Sequence, residues 1–248
     1  MTTGLFIPCY IDQLYPDTGF SMIKVLKKAD EAGKAHMQFE YNPAQTCCGQ
    51  VAFNGGFWDE AKELGVKFIK DFLAYDYVVG PSASCVGMVR NYYPQMFNNS
   101  AWHNQNNQLT KKIYEFTDFL VNIMQVEDLG ARFEARITYH DACAALREYG
   151  LTDQPRRLLA RVEGLEISEM KDRDVCCGFG GTFSVKHEAI STAMAEQKVQ
   201  HALDTKAEYI VSTESSCLMH LQAFIDKHEI PIKTLHIADL LAMGLQGD

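Results

Sequence analysis

The sequence predicts an α/β fold of two similar halves, each a small parallel sheet flanked by helices, with cysteines at the carboxyl ends of the strands. Three observations predict it. Short apolar runs of strand length alternate with longer stretches of helical periodicity, the signature of parallel sheets. The eight cysteines repeat their spacing: Cys9, Cys47-Cys48 and Cys85 are separated by 37 and 36 residues, and Cys143, Cys176-Cys177 and Cys217 by 32 and 39. The surrounding text repeats too, with Tyr77-Val-Val-Gly-Pro-Ser-Ala-Ser-Cys85 parallel to Tyr209-Ile-Val-Ser-Thr-Glu-Ser-Ser-Cys217 and Tyr114–Leu120 parallel to His236–Ala242. A boundary near Gly130 then divides residues 1–130 from 131–248.

In order, Leu5–Pro8 reads as a buried strand, and Phe20–Gly33 as a helix carrying Phe20, Ile23, Leu26 and Ala29 on one face with Gly33 as its stop. Met37–Tyr41 reads as a strand, Phe57–Leu73 as a helix and Tyr77–Gly80 as a strand. The stretch Asn91–Leu109, with six asparagines and three glutamines around Tyr92, Tyr93, Phe97 and Trp102, breaks the rhythm. It reads as a long ordered loop, either a solvated connection, a cover over the site or a docking surface. The second half reads as strand Arg136–Tyr139, helix Arg156–Val162, strand Leu165–Glu169, helix Glu188–Thr205, strand Tyr209–Ser212, helix Cys217–Lys227 and strand Ile232–Leu235.

Composition narrows the function. A chain of 248 residues with 47% hydrophobic residues builds a core without disulfides, so the cysteines need another reason to exist. The first residues show no basic-then-apolar leader, and no apolar run reaches membrane-span length, so a cytoplasmic protein without a membrane span is expected. In that compartment cysteine clusters bind metal or do redox chemistry more often than they form disulfides. A net charge of −9 with scattered Lys and Arg argues against nucleic acid as a partner.

Each cysteine group follows an expected strand, and the carboxyl ends of strands in an open parallel sheet converge on one rim. Cys9, Cys47, Cys48 and Cys85 can therefore meet, and so can Cys143, Cys176, Cys177 and Cys217. Four thiolates suit zinc or the irons of a cluster. The paired Cys-x-x-Cys knuckles common in zinc fingers are missing, and adjacent cysteines more easily ligate different irons of a larger cluster. A lone buried cysteine is usually a small hydrophobe, but two matched sets with adjacent pairs argue against that. Gly49 and Gly178 directly follow the pairs, and Gly180 and Gly181 come soon after, permitting close backbone approach. Cys177-Gly-Phe-Gly-Gly181 has some look of a phosphate loop but lacks its Lys-Ser/Thr.

At these residues the chain resembles the CCG cysteine-rich family, which includes the cysteine-rich component of heterodisulfide reductase and related components of glycerol-3-phosphate dehydrogenase and glycolate oxidase. The likeness is strongest to the lactate utilization protein A group, and it spans essentially the whole chain. It is carried by Phe6-Ile-Pro-Cys9-Tyr, Cys47-Cys48-Gly49-Gln, Ser84-Cys85-Val, Tyr139-His-Asp-Ala-Cys143, Cys176-Cys177-Gly178-Phe-Gly-Gly-Thr-Phe and Ser216-Cys217-Leu-Met-His220. The resemblance implies two facing α/β halves and an iron–sulfur electron-transfer subunit of a complex that oxidises L-lactate to pyruvate. It implies a ferredoxin-like iron–sulfur partner and a third small subunit. The alternatives are a heterodisulfide-type thiol–disulfide reductase subunit and a zinc-binding scaffold or sensor.

The family motif ends in Cys-x-x-Cys, whereas here Met88 and His220 stand at the last position. With four cysteines per half, a cubane 4Fe–4S cluster is as consistent as the noncubane cluster of the reductases, at most one per half, and zinc can replace it after aerobic preparation. His220 is a candidate further ligand, or a helix-surface histidine. His140 and Asp141, just before Cys143, are candidates for moving the protons of lactate oxidation, or His140 is a strand-end residue satisfied by backbone. Arg90, a turn beyond Cys85, is a candidate for a small carboxylate substrate, with Lys186 and His187 as weaker ones.

Overall fold

The computed structural model describes residues 1–33 and 36–245. The first half runs β1 (Thr2–Leu5), α1 (Cys9–Leu14), α2 (Pro16–Ala32), β2 (Gln38–Tyr41), α3 (Gln50–Asn54), α4 (Trp58–Phe72), β3 (Tyr77–Gly80), α5 (Ala83–Gly87), α6 (Tyr93–Met96), α7 (His103–Leu109), β4 (Ile113–Glu115) and α8 (Phe116–Asp118). The second runs β5 (Arg132–Tyr139), α9 (Gln154–Leu159), β6 (Glu163–Ile167), α10 (Thr182–Lys186), α11 (Glu188–Leu203), β7 (Tyr209–Ser212), α12 (Ser215–Lys227), β8 (Lys233–His236) and α13 (Ile237–Gly244). Wider π-helical turns continue α5 through Met88–Tyr92 and α8 through Phe119–Ile123, and fill Ala144–Tyr149.

The strand orders are β2-β1-β3-β4 and β6-β5-β7-β8, and every pairing is parallel. This is the expected α/β architecture with the same sheet built twice. Each sheet places its first strand beside the second and third, so the chain after β1, β2 and β3, and after β5, β6 and β7, leaves from neighbouring points of one rim. Those exits carry the cysteines.

Local sequence explains the elements. Pro16 starts α2 where its missing N–H costs nothing, and Met22, Val25, Leu26 and Ala29 bury one face. In α4, Ala61, Gly65, Phe68, Ile69 and Phe72 turn inward, with Asp59 and Glu60 at the positive end of the helix dipole and Lys70 at the negative end.

Three expectations need correction. Asn91–Leu109 is not a loop: it forms the last π-helical residues, α6 and α7. Its Asn and Gln are poor helix formers, but Tyr93, Phe97 and Leu109 are fully buried against Phe68 and Phe72, and packing outweighs propensity. The first strand is Thr2–Leu5 rather than Leu5–Pro8; the apolar Phe6 and Ile7 are buried as the chain leaves the sheet. The repeat also shifts by one residue. Glu115 and His236, not Tyr114 and His236, are equivalent, each ending its strand and capping the next helix. Glu115 Oε2 accepts from Thr117 N at 2.7 Å, and His236 Nδ1 accepts from Ala238 N at 3.1 Å.

The halves interlock. Helix α2 of the first packs on α13 of the second, with Thr18 donating to Asp239 at 2.7 Å. Reciprocally, α9 packs beside α8, and Gln154 reaches Asp118, the counterpart of Asp239, at 3.4 Å. One apolar core joins Val25 and Leu26 to Leu240 and Leu241, and Phe116 and Phe119 to Leu158 and Leu159. Each half keeps a smaller core of its own behind its cysteines. Among the described residues, no helix is long and apolar enough to cross a membrane.

Candidate metal centre

The two sheet rims face a single cavity of about 190 Å³, and all eight cysteines line it. Their positions follow from the chain exits. Cys9 opens α1 after Pro8, and Cys143 directly precedes the π-helical turn Ala144–Tyr149. Cys85 lies in the first turn of α5, capped by Ser82 Oγ, and Cys217 lies in the first turn of α12. No disulfide links any of them.

The Cys-Cys-Gly triplets form matching turns. Gly49 has φ +83°, and its N–H donates to Cys47 Sγ at 3.3 Å. Gly178 has φ +98°, and its N–H donates to Cys176 Sγ at 3.4 Å. A Cβ at Gly178 would lie 2.6 Å from Ser191 O, and one at Gly49 would lie 3.2 Å from Ala61 O. Both positions therefore require glycine on conformation and on space. The left-handed turn swings the backbone N–H onto the first sulfur of the pair while the second is buried.

Thiol contacts run through each set. Cys9 donates to Cys47 at 3.8 Å. Hydrogen bonds from Cys48 and Cys9 pull the Cys47 thiol far down, against burial and with help from the Gly49 N–H. The donors shift the other way: Cys9 is raised by its bond to Cys47 and by burial, and Cys48 by its bonds to Cys47 and Cys85 and by burial. In the second half, hydrogen bonds from Cys143 and Cys177 lower Cys176, while Cys143 and Cys177 rise. Each half thus favours the thiolate, the form that binds metal, at the first cysteine of its pair.

The remaining candidates separate. His140 is completely buried, and one ring nitrogen lies with the sulfurs of Cys177 and Cys217 within 4.8 Å of one another. Asp141 turns away into ion pairs, bidentate with Arg156 at 2.7 and 2.8 Å and with Arg173 at 3.2 Å. Arg90 sits 3.9 Å from Asp118 and stacks over Tyr114 and Tyr149, outside the cavity. His220 is not brought to the thiols either: its Nε2 meets Ser191 Oγ at 3.2 Å, beside the backbone of Gly178. Lys186 and His187 are exposed.

Two residues that shape the site went unnoticed in the sequence, Glu214 in the cavity lining and Tyr93 behind it. Glu214 is buried and accepts from Ser82 Oγ at 3.1 Å, Ser84 N at 2.9 Å and Ser216 Oγ at 3.1 Å. Burial raises its carboxyl, opposed by those hydrogen bonds. Tyr93 OH donates to Cys48 O at 2.8 Å and so ties α6 to the first triplet. The repeat alignment contained a signal for Glu214, since it falls opposite Ser82 three residues before the cysteine. Nothing in the sequence marked Tyr93 beyond its place among aromatics.

The donor set fits a thiophilic metal or cluster: four sulfurs per half, the first of each pair favoured as thiolate with a backbone N–H aimed at it, and in the second half Cys217 lowered as well by its bond from Cys177.

Comparison with known proteins agrees. The profile of the cysteine-rich CCG domain matches residues 3–90 and 137–222. The chain is 39% identical over 248 residues to Lactate utilization protein A of Oceanobacillus iheyensis, covering 100% of this chain and 99% of that protein. It is 39% identical over 242 residues to Lactate utilization protein A of Geobacillus thermodenitrificans, covering 97% and 98%. A solved hypothetical protein from Helicobacter pylori shares the fold with a TM-score of 0.61 and 13% identity, over 99% of this chain and 49% of that one. The chain thus spans about half the length of that structure.

Proposed function

Because the chain belongs to the CCG cysteine-rich domain family, we propose that it is the iron–sulfur electron-transfer subunit of a system that oxidises L-lactate to pyruvate. The observation that carries this reading is the doubled Cys-Cys-Gly turn, with two four-thiol sets around one cavity. Cys9, Cys47, Cys48 and Cys85 would hold one cluster, and Cys143, Cys176, Cys177 and Cys217 the other. Bound 4Fe–4S clusters supply one-electron chemistry.

The chain's own residues prepare the sites. Gly49 and Gly178 direct N–H groups at the first thiolate of each pair, and such bonds set the potential of a bound centre. Tyr10 and Phe179, ring centroids 5.8 Å apart, bridge the halves at the cavity. Glu214 links Ser82 and Ser84 of one half to Ser216 of the other.

Lactate oxidation itself fits better on a partner. Glu148 and Glu214 line the cavity, and among the described residues no Lys or Arg does. A carboxylate would find no cationic side chain there to pair with. The partners this reading requires are the ferredoxin-like subunit and the third small subunit, in the cytoplasm.

Anaerobic purification tests the reading. The protein should be brown, with iron and acid-labile sulfide in equal amounts, and lactate should bleach it only when the partner subunits are present. Colourless, sulfide-free protein after anaerobic reconstitution would contradict it.

A further inference from the structure

Phe6 and His140 hold the same place in the two halves. Each stands three residues before the first cysteine of its set. Each backbone N–H makes the same bond to the third strand of its sheet, Phe6 N to Val79 O at 2.9 Å and His140 N to Val211 O at 2.8 Å. Val79 and Val211 are themselves equivalent, two residues after Tyr77 and Tyr209. Both side chains are 0% exposed. Their chemistry differs. Phe6 packs edge-on against Phe68 at 4.8 Å and Phe72 at 5.8 Å.

The imidazole of His140 has no such explanation. No well-formed hydrogen bond reaches either ring nitrogen, and the polar group the imidazole faces is the Cys217 thiol. A buried polar group without a partner costs roughly 1–3 kcal/mol, so native proteins rarely keep one without a use. One nitrogen lies with the sulfurs of Cys177 and Cys217 inside a 4.8 Å group, all three residues buried. Imidazole nitrogen joins thiolate in zinc and iron sites.

We propose that His140 is a nitrogen ligand of the metal centre held by the second cysteine set, which makes the two centres chemically different. The proposal rests on the metal-binding reading of the cysteines. The second half then has five donors, Cys143, Cys176, Cys177, Cys217 and His140, and the first half has four. His220, on the far side of Gly178 against Ser191, only supports the turn.

The test uses Co²⁺ alone, which needs no sulfide. The reduced, metal-free full-length chain is titrated anaerobically in a Cys48→Ser background, so that the second set reports. Thiolate-to-cobalt absorption should appear, and pulsed EPR of protein labelled with ¹⁵N-histidine should show coupling to a histidine nitrogen. His140→Phe, the residue its counterpart Phe6 already supplies, should weaken second-set binding about ten- to a hundredfold and abolish the coupling. In the otherwise wild-type chain the same substitution should leave first-set binding unchanged, which shows that the variant is folded. His140→Cys should restore affinity without the coupling. Equal affinity in His140→Phe, or no nitrogen coupling with His140 present, would overturn the proposal. Failure of the iron–sulfur reading has a separate sign, iron reconstitution without sulfide, and leaves the cobalt result readable.

Discussion

Glu214 and Ser82, which occupy the same position in the two repeats, meet at the boundary between the halves, with Ser82 Oγ donating to the buried Glu214 carboxylate at 3.1 Å. Each stands three residues before a cysteine of the cavity, Cys85 or Cys217. The contact therefore couples the two sites physically. Glu214→Leu strands Ser84 N and Ser216 Oγ and takes from Ser82 Oγ its acceptor across the halves, and should cost about 2–5 kcal/mol in anaerobic urea unfolding. Iron content should fall in both halves. A loss confined to Cys217's half would show that the carboxylate serves only its own repeat.

The two triplet glycines should not be equally sensitive. Alanine at either position meets the left-handed strain of about 1–2 kcal/mol. At Gly178 a Cβ also lies 2.6 Å from Ser191 O, within helix α11, while at Gly49 the nearest atom is 3.2 Å away. Gly178→Ala should therefore destabilise more than Gly49→Ala by thermal melting, and should empty the second site preferentially.

Tyr93→Phe removes only the hydroxyl that donates to Cys48 O. The expected cost is about 0.5–1.5 kcal/mol. Absorption from the first cysteine set should change while that from the second stays. The variant thus reads whether the helices of residues 93–109 act on the site or merely cover it.

Glu115 predicts a pH slope. Burial raises its carboxyl to about 8, against the hydrogen bonds from Thr117 and Asp118. Below the ordinary value of 4.5 the group is neutral in folded and unfolded chain alike. Between 4.5 and about 8 the unfolded chain releases the proton and the folded one keeps it, so stability falls as pH rises across that window. Glu115→Gln should flatten the slope. Urea midpoints at the two ends of the window measure it, and an unchanged slope would mean that Glu115 ionises normally.

The sequence exposed what repeats. Most strands of four or more residues and the long amphipathic helices were legible from their apolar runs and periods, but β1 was set too late because the buried Phe6 and Ile7 lie just past its end. The cysteine sets were legible because their spacing doubles. Ile113–Glu115 was missed, since three residues carry no period, and so was α6–α7, where burial of Tyr93 and Phe97 overrides an Asn-rich composition. The histidines show the sharper limit. His220 fell at the place of a family cysteine yet turns to Ser191, while His140 lies at the thiols because the chain leaves β5 beside β7. Linear spacing along a helix could not reveal that crossing. Asp141, adjacent in sequence to His140, faces Arg156 instead because successive residues of an extended chain point oppositely.

The most direct test counts the centres by half. Iron and acid-labile sulfide are measured in the anaerobically reconstituted wild type, in Cys48→Ser and in Cys177→Ser. Two four-thiolate sites predict that each variant keeps about half of the wild-type iron and sulfide, with different spectra remaining in the two. Loss of all iron from either single variant, or wild-type protein with no sulfide, would contradict the account.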